Sequence, residues 1–124
     1  MNAVLTKKTI LIVDDDLDVK ESTGLILESN DYIVVLACGG KDGVEEYAKS
    51  NPDLTLMDIK MPDMDGYDAF FKIHEKDPNA KVVFITGFTK DDDKHEQAIK
   101  HNLIDTLYKP IEPDALLKLI KKHA

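Results

Sequence analysis

Ile10-Leu11-Ile12-Val13-Asp14-Asp15-Asp16 is a continuous apolar run closed by three acids. A run with no polar alternation is the pattern of a strand covered on both faces, as in a parallel sheet. Four more runs follow, at residues 32–37, 54–57, 81–85 and, more weakly, 104–108. Segments of helical period lie between and after them. Val19, Ile26 and Leu27 share one face of the first, and Val44, Tyr47 and Ala48 of the second. Phe70, Ile73 and His74 mark the third, His95, Ala98 and Ile99 the fourth, and Leu116, Leu119 and Ile120 the last. Pro113 suits the first turn of that last helix. Turn signals fall between the elements: Gly39-Gly40, Asn51-Pro52, Pro62 to Gly66, Asp77-Pro78 and Lys109-Pro110.

Five β-α units in 124 residues imply right-handed crossovers and helices on both faces of one sheet. An eight-stranded barrel needs about twice this length. The expected fold is therefore α/β: one domain over residues 1–124, with a doubly wound, five-stranded parallel sheet in the order 2-1-3-4-5. Ligands of such a sheet bind at the carboxyl ends of its strands.

Composition narrows the functions. The apolar fraction of 43% is that of a globular protein. The formal net charge of −8 disfavours nucleic acid and anionic membrane as partners, because phosphate binding needs clustered Lys and Arg. No apolar run approaches the roughly 20 residues needed to cross a bilayer, and residues 1–8 do not resemble a signal peptide. A cytoplasmic location is expected. Cys38 is the single cysteine, so no internal disulfide forms, and it is expected to be a small buried or half-buried side chain. The four histidines lack the close pairing of a zinc site and are expected on the surface or on helix faces.

The predicted strand ends hold the chemistry. The first ends in Asp14-Asp15-Asp16, the third in Asp58, the fourth in Thr86-Gly87 and the fifth in Lys109-Pro110. Several carboxylates in one cleft cannot all ionise without a cation. Oxygen-only ligands suit Mg²⁺, with Mn²⁺ as an alternative. A carboxylate can attack phosphorus and form an acyl phosphate, whose transition state needs cationic and hydrogen-bonding partners. Lys109 offers a fixed positive charge, Thr86 a hydroxyl, and Gly87 room for an incoming group. Taken singly, each residue has a plainer reading. Asp16 and Asp18 suit helix caps, Asp91 to Asp93 a solvated turn, Thr86 a structural strand end, and Lys109 a solvated loop. The joint pattern at four strand ends is far more specific.

With these residues the sequence resembles the receiver domain of two-component response regulators, from about Thr9 to Lys122. The motifs are Ile10 to Asp16; Leu56-Met57-Asp58-Ile59-Lys60-Met61-Pro62-Asp63-Met64-Asp65-Gly66; Phe84-Ile85-Thr86-Gly87; and Tyr108-Lys109-Pro110. The resemblance implies a flavodoxin-like three-layer sandwich and a set of roles. Asp58 would be the phosphoacceptor. Asp15 would hold Mg²⁺ directly and Asp14 largely through water, with the backbone carbonyl of Lys60 as a third protein ligand. Lys109 would pair with phosphoryl oxygens and precede a cis peptide bond. Thr86 and Tyr108 would form the switch, Thr86 swinging toward the phosphoryl group and Tyr108 turning inward. The implied partners are a sensor histidine kinase or histidine phosphotransfer protein, and a downstream target protein. The implied contact or dimer surface is the face of the fourth helix, fifth strand and fifth helix. The domain would modify itself without turning over an external substrate.

Some positions depart from the family pattern. Gly87 stands where Ala is frequent, and Asn102-Leu103 replaces a common Gly-Ala, which implies a differently shaped turn before the fifth strand. Lys60 and Phe88 flank the expected route of attacking water, which implies slow loss of phosphate. Other readings fit less well. The haloacid-dehalogenase phosphatase motif lacks its Thr in Asp14-Asp15-Asp16-Leu17-Asp18. A calcium loop around Asp63-Met64-Asp65-Gly66 would have Met61 and Lys72 at its first and last ligand positions. A flavin phosphate would be repelled by the acids after the first strand. A degenerate receiver would not keep the acceptor, the acid pair, Thr86 and Lys109 together.

Overall fold

Acidic side chains start four of the five helices in the computed structural model, which describes residues 7–87 and 91–124. Asp16 accepts from the backbone N–H groups of Asp18 and Val19 and caps α1 (Leu17–Glu28). Asp65 caps α3 (Gly66–Lys76), Asp91 caps α4 (Asp92–Lys100), and Glu112 caps α5 (Pro113–His123). Each such bond satisfies an amide that the helix cannot pair internally, and each carboxylate sits at the positive end of the helix dipole. α2 (Gly40–Ser50) has no side-chain cap. The helices alternate with β1 (Thr9–Val13), β2 (Ile33–Ala37), β3 (Leu54–Asp58), β4 (Val82–Thr86) and β5 (Asp105–Tyr108).

The strands form one parallel sheet in the order β2-β1-β3-β4-β5, as expected. The side-chain alternation of each central strand divides the core in two. Leu11, Val13, Met57 and Phe84 pack with Tyr67, Phe70 and Ile73 of α3 on one face. Ile10, Ile12, Leu56 and Ile85 pack with Leu27 of α1 and Leu116 and Ile120 of α5 on the other. β3 and β4 are buried along their whole length, which explains their uninterrupted apolar sequence.

Several expectations need correction. Cys38 is exposed. It lies just beyond β2, outside the helical cover, and its backbone N–H donates to Asp42 Oδ2 at 3.0 Å. Of the two places expected for the histidines, His74 and His95 take the helix-face one: they lie with the buried residues of α3 and α4. The ring nitrogens of His74 lie 2.8 Å from the Phe70 carbonyl and 3.0 Å from the Ala80 carbonyl. Those of His95 lie 3.0 Å from the Tyr67 hydroxyl and 2.9 Å from the Thr106 hydroxyl. A polar ring is tolerated in a core when its nitrogens find such partners. Ile99, placed on the inner face of α4, is exposed. β2 is apolar throughout, yet Ile33 and Leu36 are exposed, because an edge strand lacks the flanking cover that central strands have. Asn102 adopts the left-handed conformation at φ 72°, which Asn tolerates better than most residues, so the turn before β5 closes without glycine.

Thr55 is fully buried in β3, and its Oγ1 is the only buried side-chain polar atom among the described residues without a hydrogen-bond partner. Removing an unsatisfied buried hydroxyl while keeping its shape stabilises a core. Thr55→Val is therefore expected to raise the unfolding free energy by about 1 kcal/mol in urea titrations. A variant less stable than its parent would contradict this packing.

Candidate functional site

The register of the sheet fixes which residues meet. Val13 lies opposite Met57 in the β1–β3 ladder, so the acids that follow both strands emerge side by side at the carboxyl edge. Asp14 and Asp58 are buried and Asp15 is exposed. The three residues can present carboxylate oxygens all within 4.8 Å of one another. Lys109, just past β5, reaches across to them. Its Nζ lies 3.1 Å from Asp14 Oδ2 and 3.6 Å from Asp58 Oδ2. The peptide joining Lys109 to Pro110 is cis, and the Lys109 N–H donates to the Thr86 carbonyl at 2.8 Å. Residues expected to converge from four strand ends therefore do so, and the plainer reading of Lys109 as a solvated loop residue is set aside.

Backbone amides take part of the carboxylate capacity. Asp58 Oδ1 accepts from the Ile59 N–H at 2.9 Å, and Asp14 Oδ1 from the Asp16 N–H at 2.9 Å. Oδ2 of Asp58 faces Lys109 and remains the outward-acting oxygen. Gly66 permits this arrangement. A Cβ there would lie 2.2 Å from the Asp58 carbonyl oxygen and 2.8 Å from the Ile59 Cα, closer than any side chain can approach. The Gly66 N–H donates to the Ile59 carbonyl at 2.7 Å, which ties the start of α3 to the residue after Asp58.

The electrostatics are unbalanced. Burial first, and then the charge of Asp14, push the Asp58 carboxyl from its ordinary 3.8 up to about 6. Lys109 and the Ile59 N–H act in the opposite direction, and Asp15 adds a further upward push. Burial works against the Lys109 ammonium, but its hydrogen bond to Asp14 and the charges of Asp14 and Asp58 outweigh this and hold its pKa above the ordinary lysine range. One ammonium among three carboxylates leaves a negative deficit. A hard divalent cation with oxygen ligands fits that donor set and that deficit.

Thr86 is buried at the end of β4, opposite Tyr108 in the β4–β5 ladder. Tyr108 is 53% exposed, so it does not turn inward in this conformation. Gly87 is open, with nothing within 4 Å of where a Cβ would stand. Lys60 is exposed two residues beyond Asp58. Phe88, expected beside the site, lies outside the described residues. A groove of about 610 Å³ adjoins the site, between α1 (Val19, Thr23, Ile26) and the segment Lys109-Pro110-Ile111. Two links escaped the sequence reading. Lys94 on α4 lies 3.7 Å from Asp65, and His95 joins Tyr67 of α3 to Thr106 of β5. Both tie α4 to its neighbours, and neither has a local sequence signature.

Comparison with known proteins agrees with this geometry. The family model of the response regulator receiver domain matches residues 10–121. The chain is 41% identical over 118 residues to the chemotaxis protein CheY of Treponema pallidum, covering 90% of this chain and 78% of that one. A crystallised CheY-like receiver domain protein from Methanospirillum hungatei superposes with a TM-score of 0.88 at 33% identity, covering 94% and 93% of the two chains. CheY in a CheX–CheY–BeF3–Mg²⁺ complex from Borrelia burgdorferi superposes with a TM-score of 0.84 at 26% identity, covering 93% and 87%.

A carboxyl raised in the folded state binds its proton more tightly there than in the unfolded chain. Its stabilising contribution is complete below about pH 4 and is lost as pH rises through about 6. At pH 7 the ionised Asp58 opposes folding. Asp58→Asn should therefore stabilise the metal-free protein at pH 7 by about 1–2 kcal/mol, an advantage that shrinks toward pH 4. Mg²⁺ should raise the melting temperature of the parent more than that of the variant. Equal Mg²⁺ responses would remove the cation from the site.

Proposed function

The chain belongs to the response regulator receiver domain family, and on that premise we propose that it takes a phosphoryl group from a phosphohistidine donor onto Asp58 and signals by the resulting change of its surface. The observation that carries this reading is Asp58 Oδ2, buried at a strand end and facing Lys109 Nζ at 3.6 Å beside a second and a third carboxylate. In the transfer, Asp58 Oδ2 forms a bond to phosphorus as the phosphorus–nitrogen bond to the donor histidine breaks, and the imidazole departs with the electron pair. Negative charge on the moving group is met by the Lys109 ammonium and the Thr86 hydroxyl. The Ile59 N–H holds the other carboxylate oxygen, so Asp58 presents one oxygen to the reaction. Asp14, Asp15, Asp58 and the Lys60 carbonyl would hold Mg²⁺ or Mn²⁺. When bound, this cation supplies the positive charge that the carboxylates and the phosphoryl oxygens lack.

Open space at Gly87 and the groove beside Lys109 give a donor protein access from the α1 side. A sensor histidine kinase or a histidine phosphotransfer protein fits that role. The Borrelia relative, crystallised with BeF3, Mg²⁺ and CheX, supports the metal, the phosphoryl site and partner contact together. The switch would run through Thr86 and Tyr108, which face each other across the β4–β5 ladder. Thr86 moving toward the phosphoryl group would free space for Tyr108 to turn inward, biasing two packings of α4–β5–α5. That face would then meet a downstream target protein or a second phosphorylated copy. The domain is a signalling module rather than a turnover enzyme. No helix among the described residues is long and apolar enough to cross a membrane, and the reading places the domain in the cytoplasm.

Incubation with acetyl phosphate and Mg²⁺ should add the mass of one phosphoryl group to the intact chain, and none to Asp58→Ala. Lys109→Ala should slow the modification by about 10²–10³. A parent chain whose mass stays unchanged, or an Asp58→Ala chain that is still modified, would reject the proposal.

A further inference from the structure

α4 is seated on the body of the domain differently from α3. Of its nine residues only His95 and Ala98 are buried, against six residues of α3. Ile99, the one large aliphatic side chain of α4, is 58% exposed. A helix usually docks through an apolar face, and here Ala98 supplies no more than a methyl group. The Lys94–Asp65 pair lies at the surface at 3.7 Å, where such pairs contribute little. Among the described residues, the hydrogen bonds of His95 are the strongest attachment of the first turns of this helix.

His95 joins three elements. One ring nitrogen meets the Tyr67 hydroxyl of α3 at 3.0 Å, and the other meets the Thr106 hydroxyl of β5 at 2.9 Å. Each hydroxyl can donate or accept, so the neutral ring is satisfied in either tautomer. The Asp91 N–H, at the start of α4, bonds the same Tyr67 hydroxyl. The ring is 5% exposed and lies beside Phe84, so water does not replace these partners unless α4 moves.

Both ends of this bridge start beside the Asp58 site. Tyr67 follows Gly66, whose N–H holds the Ile59 carbonyl. Thr106 lies on the strand that leads to Tyr108, opposite Thr86, and on to Lys109, whose N–H holds the Thr86 carbonyl. A shift of Thr86, or of the segment after Asp58, therefore reaches His95 from one side or the other. The far end of α4 is anchored independently. The His101 ring meets Phe71 edge-on at 5.7 Å, and Leu103 packs on the core. Release at His95 frees the first turns of α4 and leaves the last one in place.

We propose that His95 is a latch: its bond to Thr106 holds α4 against β5 in the unmodified conformation and is given up when the Asp58 site is filled. The inference rests on the phosphoacceptor function proposed above and adds the residue that sets its resting balance. His95 is a positioning residue, acting through α4 and β5 rather than on the metal or the phosphoryl group. Coupling of this kind is reciprocal. Because filling the site costs the latch bond, removing the bond beforehand tightens the site. The typical net worth of one hydrogen bond corresponds to about fivefold in that balance.

Calorimetric titration with BeF3, a phosphoryl mimic, at saturating Mg²⁺ reads the balance. Thr106→Val keeps the branched shape, removes the hydroxyl and is expected to bind BeF3 about three- to tenfold more tightly than the parent. Thr106→Ser restores the hydroxyl and should return the parent affinity. His95→Asn is too short to reach Thr106 and should behave as Thr106→Val. If one of these two fails to melt cooperatively, the other carries the test. Ile99→Ala alters an exposed side chain on the same helix and should leave the affinity unchanged. In nitrogen-resolved NMR, the His95 Nε2 resonance of the parent should shift on saturation with BeF3. A parent that binds no BeF3, or binds it as Asp58→Ala does, removes the phosphoacceptor reading and the latch with it. If the parent binds through Asp58, three results overturn the latch alone: no tightening in the folded variants, an Nε2 resonance that stays in place, or equal tightening by Ile99→Ala.

Discussion

Three carboxylates and one ammonium meet where strands end, and much of the molecule follows from holding them there. Asp14, Asp15 and Asp58 would separate if the chain were free to let them. The β1–β3 ladder, buried on both faces, does not allow it, because sliding Val13 away from Met57 would expose two halves of the core at once. The hydrophobic sheet thus supports an electrostatic arrangement that is unfavourable by itself. The raised carboxyl of Asp58 is the local sign of that imposition. Unfavourable groups held by a rigid frame are what a binding site for a cation and an anionic group requires, since the ligand then relieves what folding could not.

The same frame explains why glycine and backbone amides matter as much as the acids. Gly66 lets the start of α3 come against the Asp58 backbone, and the Ile59 amide turns one carboxylate oxygen inward. The Lys109 amide bonds to the Thr86 carbonyl, so the cation and the hydroxyl that would meet a phosphoryl group sit on mutually anchored backbone. These contacts are too short and too local to survive a shift of one residue in register.

The sheet order, the helix positions and the convergence of Asp14, Asp15, Asp58, Thr86 and Lys109 were all legible from the sequence. The parallel-sheet rule turns a linear series of strand ends into one edge, and that step needs no side-chain detail. What escaped depends on neighbours far along the chain. The helix faces of His74 and His95 could be read, but not the carbonyl and hydroxyl partners on other elements that satisfy their rings. The exposure of Cys38, Ile33 and Leu36 follows from β2 being an edge, and an apolar run reads the same at the edge as at the centre. The outward pose of Tyr108 is a choice between conformations, which composition does not encode.

Signal transmission is constrained by the charge balance as well. The chain already carries a formal −8, which counts Asp58 as ionised, and an acyl phosphate carrying about −2 in place of that carboxylate would change it by only about −1 at a buried position beside Lys109. Fields from such a site fade over a Debye length of about 8 Å at physiological salt. A change of net charge therefore makes a poor message for a partner on another face. The message would then have to travel by contact, and several contacts among the described residues link the site to α4 and β5. Thr86 and Lys109 share a backbone hydrogen bond, Thr86 faces Tyr108, and α4 is pinned by His95 to α3 and β5 and by Lys94 to Asp65. An element held by a few polar bonds rather than a broad apolar interface can be re-seated at modest cost. α4 meets that description better than α3, whose Tyr67, Phe70 and Ile73 are sunk in the core.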